Sequence, residues 1–119
     1  MKEYLVLYRN GDPSWMDRSP EETREVMAQW TEWFTKLESG GNLRNAGAAL
    51  APGGAQLRRN GDGIATDTTL SEVKELVGGF TLIRASSLDA ATRLAEGSPF
   101  LHNNPKGDIV VQPVLEMDG

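Results

Sequence analysis

The stretch TDTTLSEVKELVGGFTLI, residues 66–83, constrains the fold of this chain more than any other. It packs three changes of conformation into a short span. Asp67 closes a run with strand character. Thr69, with Glu72 three positions on, forms a capping box. The spacing predicts a short helix over residues 70–77, with Leu70, Val73 and Val77 turned inward. Gly78-Gly79 ends it, and residues 80–85, FTLIRA, read as a strand with Phe80 and Leu82 on one face and Ile83 on the other. Elements this short cannot bury their apolar sides alone, so the rest of the chain is read as their cover.

Upstream, residues 4–9 (YLVLYR) form an apolar strand bounded by Asn10-Gly11-Asp12-Pro13. Its apolar residues fall on both faces, as in a central strand covered on both sides. Trp15 and Met16 sit in a polar loop and need cover from the core or from a second subunit. Ser19 caps the first long helix, Pro20 takes its first position, and Glu22 stands three after the cap. Val26, Met27, Trp30, Trp33, Phe34 and Leu37 make one apolar stripe, and Gly40-Gly41 stops it. Residues 42–50 read as a poorly packed strand whose glycine allows close backbone approach. Residues 55–59 and 64–66 flank Asn60-Gly61-Asp62-Gly63, a hairpin signal, and read as polar strands toward a rim.

Downstream, Ser86 or Ser87 caps a second long helix through Glu96, with Leu88, Ala91, Leu94 and Ala95 inward and Gly97 closing it. Residues 98–106 read as a loop with two prolines. Residues 108–116 read as the last strand, with Pro113 demanding an edge position or an irregularity. Without the hairpin and short helix the order is β-α-β-β-α-β, the ferredoxin-like split arrangement. The fold class is therefore α+β, an antiparallel sheet with both helices on one face. The other face needs another layer, and a second copy is the simplest source, so a homodimer is expected.

Length suits a single domain, residues 1–119. The chain has no cysteine, which removes disulfides and thiolate metal sites. A net charge of −5 argues against nucleic acid, which needs clustered lysine and arginine, and the basic doublet Arg58-Arg59 reads as a solvated strand. No apolar run reaches membrane-spanning or signal-peptide length, so a cytoplasmic protein without a membrane partner is the expectation. No cofactor motif is present: there is no phosphate-binding glycine loop and no nucleophile elbow. His102, the single histidine, cannot build a His-rich metal site, and the acidic residues are scattered, so no metal is expected.

The chain resembles the YCII-related, or DGPF-domain, family over nearly its whole length. The residues that carry the resemblance are Thr66, Asp67, Glu72, Lys74, Glu75, Gly78, Gly79 and Phe80. To these are added the opening LVLYR through Arg9, helical Trp30, then Gly47, Leu50 and Pro52, and the closing Val110-Val111-Gln112-Pro113-Val114. The resemblance implies a dimeric α+β barrel with a cleft near the dimer edge, bordered by the first helix and the loop bearing Asp67. Some branches of the family act on small ring-derived acids or phenols, one of them through a proposed His–Asp pair, and members occur beside sigma-factor-like regulators. This chain departs from that pattern. Thr68-Thr69-Leu70 replaces Gly-Pro-Phe, Val110 and Gln112 replace Glu and Arg, Trp30 stands where the catalytic branch has its His, and Ser98 stands where it has Asp.

Two functional readings follow. In one, the protein is a structural or small-molecule-binding module in which Asp67 starts a helix and Trp30 fills the core. In the other, it is a metal-independent isomerase or lyase. Asp67, desolvated beside Trp30, would be the general base, and Arg9 or Arg84 would hold a flat aromatic or anionic ligand, with His102 in a nearby loop.

Overall fold

The computed structural model describes residues 1–11, 17–51, 53–68 and 77–116. The alternation in the first strand sets the architecture. In β1 (Lys2–Arg9), Tyr4, Val6 and Tyr8 are buried, while Glu3, Leu5, Leu7 and Arg9 are half-exposed. Successive side chains of a strand leave on opposite sides, so one side of β1 is covered and the other is not.

The cover comes from helices that start and stop on local signals. In α1 (Pro20–Ser39) the Ser19 hydroxyl accepts the Glu22 backbone N–H at 3.2 Å, and Gly40 donates its N–H to the Lys36 carbonyl at 3.1 Å. The strands β2 (Leu43–Ala49), β3 (Gln56–Asn60), β4 (Gly63–Asp67) and β5 (Val77–Ala85) follow. Ser87 then caps α2 (Leu88–Glu96), accepting the Ala90 N–H at 3.1 Å, before the short α3 (Pro99–Asn103) and β6 (Asp108–Pro113).

β2, β5, β1 and β6 form one antiparallel sheet in that order, and β3 and β4 form a separate two-stranded ribbon. The order resembles the ferredoxin-like arrangement, with the ribbon inserted between the second and third sheet strands. The register pairs Tyr4 with Ile83 and Val6 with Thr81 on one face, and Leu5 with Leu82 and Leu7 with Phe80 on the other. The first face, with Ala85, meets Trp33 and Leu37 of α1 and Ala91 and Ala95 of α2, and these make the core. Burying each of its large apolar side chains is worth about 1.5–3 kcal/mol. The second face carries Leu5, Leu7, Phe80, Leu82 and Val110, all half-exposed, and among the described residues no helix lies over it.

The chain is consequently a slab, 49 × 46 × 20 Å, with its thin axis matching a sheet plus one layer of helix. Its radius of gyration, 16.5 Å, exceeds the roughly 13.5 Å of a compact chain this long.

The structure corrects several expectations. β5 begins at Val77, so Val77 is a strand residue and Gly78-Gly79 lies inside the sheet. The glycines let three backbones close up: a Cβ on Gly79 would stand 2.9 Å from the Ala48 carbonyl oxygen. The rest of the expected short helix, residues 70–76, and Trp15, Met16 and Pro52 fall outside the described residues. Met27 and Leu88, placed inward by periodicity, are 58% and 48% exposed. The stretch read as a loop contains α3, whose Ser98-Pro99 start repeats the Ser19-Pro20 signal. β1 starts earlier than expected, at Lys2, and β6 ends at Pro113 on an edge strand. In β2, the expected close approach is at Gly47 (φ +79°), where a Cβ would land on the Phe80 carbonyl.

Candidate functional site

Helical spacing stacks Trp30, Trp33 and Phe34 on one side of α1, with ring centroids 5.4–5.8 Å apart. Tyr8, near the end of β1, meets this group edge-on through Trp30 at 5.3 Å and 84°, and lies 5.1 Å from Phe100 of α3. Trp33 is anchored further, its indole N–H donating to the Leu94 carbonyl at 3.2 Å. Trp30 remains partly buried, packed against the core.

Beneath the rings lies a buried polar chain. Thr81 donates its hydroxyl to the Ala46 carbonyl at 3.0 Å, which leaves its oxygen to accept the Tyr8 hydroxyl at 2.7 Å. Ser98, wholly buried, also hydrogen-bonds to Tyr8 and accepts the Phe100 N–H at 3.3 Å. Burial pushes the Tyr8 phenol from 10.0 up to about 12, although the bonds to Thr81 and Ser98 pull it down. Tyr8 is thus a neutral donor at physiological pH, and the chain ties β1 and β5 to the irregular middle of β2.

On the opposite face at the same end of the sheet, Arg9 and Asp108 are neighbours across β1 and β6. The guanidinium grips the carboxylate with two bonds, Nε to Oδ1 at 2.8 Å and Nη2 to Oδ2 at 3.2 Å. These bonds hold the Asp108 carboxyl below its ordinary range. Arg9 is therefore engaged by a carboxylate of its own chain.

The other sequence candidates lie elsewhere. Arg84 is exposed on β5 opposite Glu3, about 20 Å along β1 from Arg9 at the usual rise per residue. His102 belongs to α3 and lines a shallow groove of about 270 Å³ between α1 and the α2–α3 junction, with Gln29, Glu32, Trp33, Lys36, Gly97 and Pro99. Asp67 is the last residue of β4, half-buried, across the ribbon from Gln56. Trp30 and Arg9 thus share one end of the sheet on opposite faces, while Arg84 is at the other end and His102 opens onto the groove.

Sequence reasoning passed over Tyr8, Thr81, Ser98, Phe100 and Asp108. Two signals were available: Asp108 opens the last strand as Arg9 closes the first, which antiparallel pairing makes neighbours, and Ser98-Pro99 is a helix start. No group of three or more acidic or histidine side chains stands together as metal ligands among the described residues. No described helix is long and apolar enough to cross a membrane. No curated protein matches the chain. The family model of the YCII-related domain matches residues 3–118. With a match running almost end to end over the slab and its aromatic cluster, the chain belongs to the YCII-related family.

Proposed function

We propose that this protein is a homodimeric module that binds a small molecule or serves structurally, its protomers pairing their uncovered sheet faces as a dimeric α+β barrel of the DGPF type. The observation that carries this reading is the apolar face itself: Leu5, Leu7, Phe80, Leu82 and Val110 are half-exposed on a 20 Å slab and, among the described residues, have no helix over them. A like face on a second copy supplies it and restores a three-dimensional core. The ligand site of this reading is a cleft near Asp67, with Trp30 and Tyr8 on the helix-covered face of the sheet and Arg9 at the same end on the opposite face. A flat aromatic or anionic small molecule fits its aromatic walls.

The second reading is a metal-independent isomerase or lyase acting on a small ring-derived acid with Asp67 as general base, and the aromatic rings of Trp30, Tyr8 and Phe100 would suit such a flat substrate. Against it weighs the pairing of Arg9 with Asp108, which leaves the guanidinium already neutralised, and the distance of Arg84. A thermal-shift screen of aromatic and lactone acids on wild type and Asp67→Asn separates the two. A ligand at about 100 times its Kd adds about 2.7 kcal/mol. Stabilisation of both proteins supports the binding module. Turnover of a binder by wild type, abolished in Asp67→Asn, supports the enzyme, and the absence of any shift removes the small-molecule site.

A further inference from the structure

Among the described residues the buried polar side chains are Thr81 and Ser98, and both bond the hydroxyl of Tyr8. The two outer ends fix the direction of every proton. The Ala46 carbonyl can only accept, and it takes the Thr81 proton at 3.0 Å. Tyr8 therefore gives its own proton to the Thr81 oxygen at 2.7 Å. The Phe100 N–H can only donate, and it meets the Ser98 oxygen at 3.3 Å. Ser98 is left to give its proton to the Tyr8 oxygen. Each hydroxyl thus donates once and accepts once, all in one sense, from Phe100 through Ser98, Tyr8 and Thr81 to Ala46. Among the described residues no buried side-chain polar atom lacks a partner.

At both ends the backbone needs outside support. The five residues of α3 are too few for a helix that stands alone. Its Pro99 and Phe100 carbonyls accept the Asn103 and Asn104 side-chain amides at 2.8 Å, and the Phe100 ring rests on Tyr8 at 5.1 Å. At the other end, the pairing of β2 with β5 skips from Asn45 to Ala48. Gly47 turns to φ +79° and gives its N–H to Asn45 Oδ1 at 2.8 Å. Side chains, rather than ladder bonds, therefore hold this irregularity, and Thr81 holds Ala46.

We infer that Ser98, Tyr8 and Thr81 act as one strut, which couples the seat of α3 to the shape of the β2 irregularity across the core. The inference needs neither the dimer nor the ligand proposed above. Linked hydroxyls polarise one another, so breaking one bond weakens the next. The middle of the strut is the ring against which Trp30 and Phe100 pack, so a shift of Tyr8 reaches both ends. One end carries Pro99 and His102 into the groove beside α1. The other lies on the edge strand that leads to the β3–β4 ribbon. The groove and the edge strand are thereby linked, with these three hydroxyls as positioning groups.

The test is a double-mutant cycle of Ser98→Ala and Thr81→Val, read by urea denaturation in wild type and again in Tyr8→Phe. A coupling of at least about threefold in the folding equilibrium constant is expected with Tyr8 present and none in Tyr8→Phe. Hydrogen exchange on Ser98→Ala alone gives a second readout, which stands even if the double variant does not fold. Exchange at the amides of residues 45–48 should rise at least about threefold, with the middle of α1 unchanged. Additive losses overturn the inference, as does coupling that persists in Tyr8→Phe. Unchanged exchange at residues 45–48 overturns it too, and so does a rise shared equally by α1, which is general loosening.

Discussion

β1 offers bulk to both sides of the sheet, yet the two sides have different fates. Tyr4, Val6 and Tyr8 disappear beneath α1 and α2, while Leu5 and Leu7, one position along, stay half-exposed. Hydrophobicity alone does not distinguish them, because leucine on the uncovered side is as apolar as valine on the covered side. What distinguishes them is where the helices can go. Both crossovers of a β-α-β-β-α-β chain fall on the same side of the sheet, since the connections share one hand. Among the described residues the apolar second face then has no helical layer, and this is what the proposed pairing with a second copy addresses.

The strongest way to test that contrast is to damage the covered face. Trp33→Ala is expected to lower the unfolding free energy by about 3–5 kcal/mol, measured by urea denaturation. Trp30→Ala, whose ring is only partly buried, is expected to cost less than Trp33→Ala. Equal losses would mean that the two tryptophans share one environment, and the distinction between core and cleft wall would fail.

Damage to the uncovered face should act on assembly. If the proposed dimer forms through this face, Leu5→Asp or Leu82→Asp is expected to raise its dissociation constant about 100-fold, roughly 2.8 kcal/mol, with secondary structure intact. Analytical ultracentrifugation with circular dichroism checks this. Unchanged association would move the dimer contact away from the sheet.

The buried polar chain adds a pH signature to the covered face. Tyr8 titrates at about 12 in the folded protein, above its ordinary 10.0. The contribution of the neutral phenol is therefore complete below pH 10 and is lost as pH rises through 12. The whole effect is on the order of 2–3 kcal/mol. Tyr8→Phe should flatten the stability profile in that window, read by urea denaturation at stepped alkaline pH. An identical profile in wild type and variant would remove Tyr8 from the core network.

The smallest effect is expected at the exposed pair. Asp108→Asn should change stability less than any of the substitutions above, because an exposed ion pair is screened by solvent. Its carboxyl titrates below the ordinary 3.8, so the contribution is present above that value and fades as pH falls through the lowered one. Added salt should shrink the difference between wild type and variant. A loss as large as that of Trp33→Ala would place the pair inside an interface, where removing one partner strands the other charge.

Much of the fold was legible because it rests on local chemistry. Ser19-Pro20 and Ser87 announce helix starts, Asn60-Gly61 announces a turn, and the β1 alternation announces a two-faced strand. Misreadings came where local chemistry has two outcomes. Gly78-Gly79 suits a helix end as well as a strand whose neighbours press close, and Ala48 decided between them. Met27 satisfies the helical period but lies at the border of the stripe, beyond the reach of the sheet. The site was less legible still. Tyr8 reads as one more core aromatic until Thr81 and Ser98, far away in sequence, are brought to its hydroxyl.

The sequence by itself determined β1, α1, β2, the β3–β4 ribbon, β5, α2 and β6 in their order, though not α3 or the start of β5, and the presence of apolar residues on both sides of the central strand. Capping, turns and period-two alternation act between residues a few positions apart, so they are written directly in the chain. Only the tertiary structure decided which side the helices cover, that Arg9 closes onto Asp108, and that the β3–β4 ribbon stands apart. Those outcomes depend on strand order and register, which join residues distant in sequence through packing that no local pattern records.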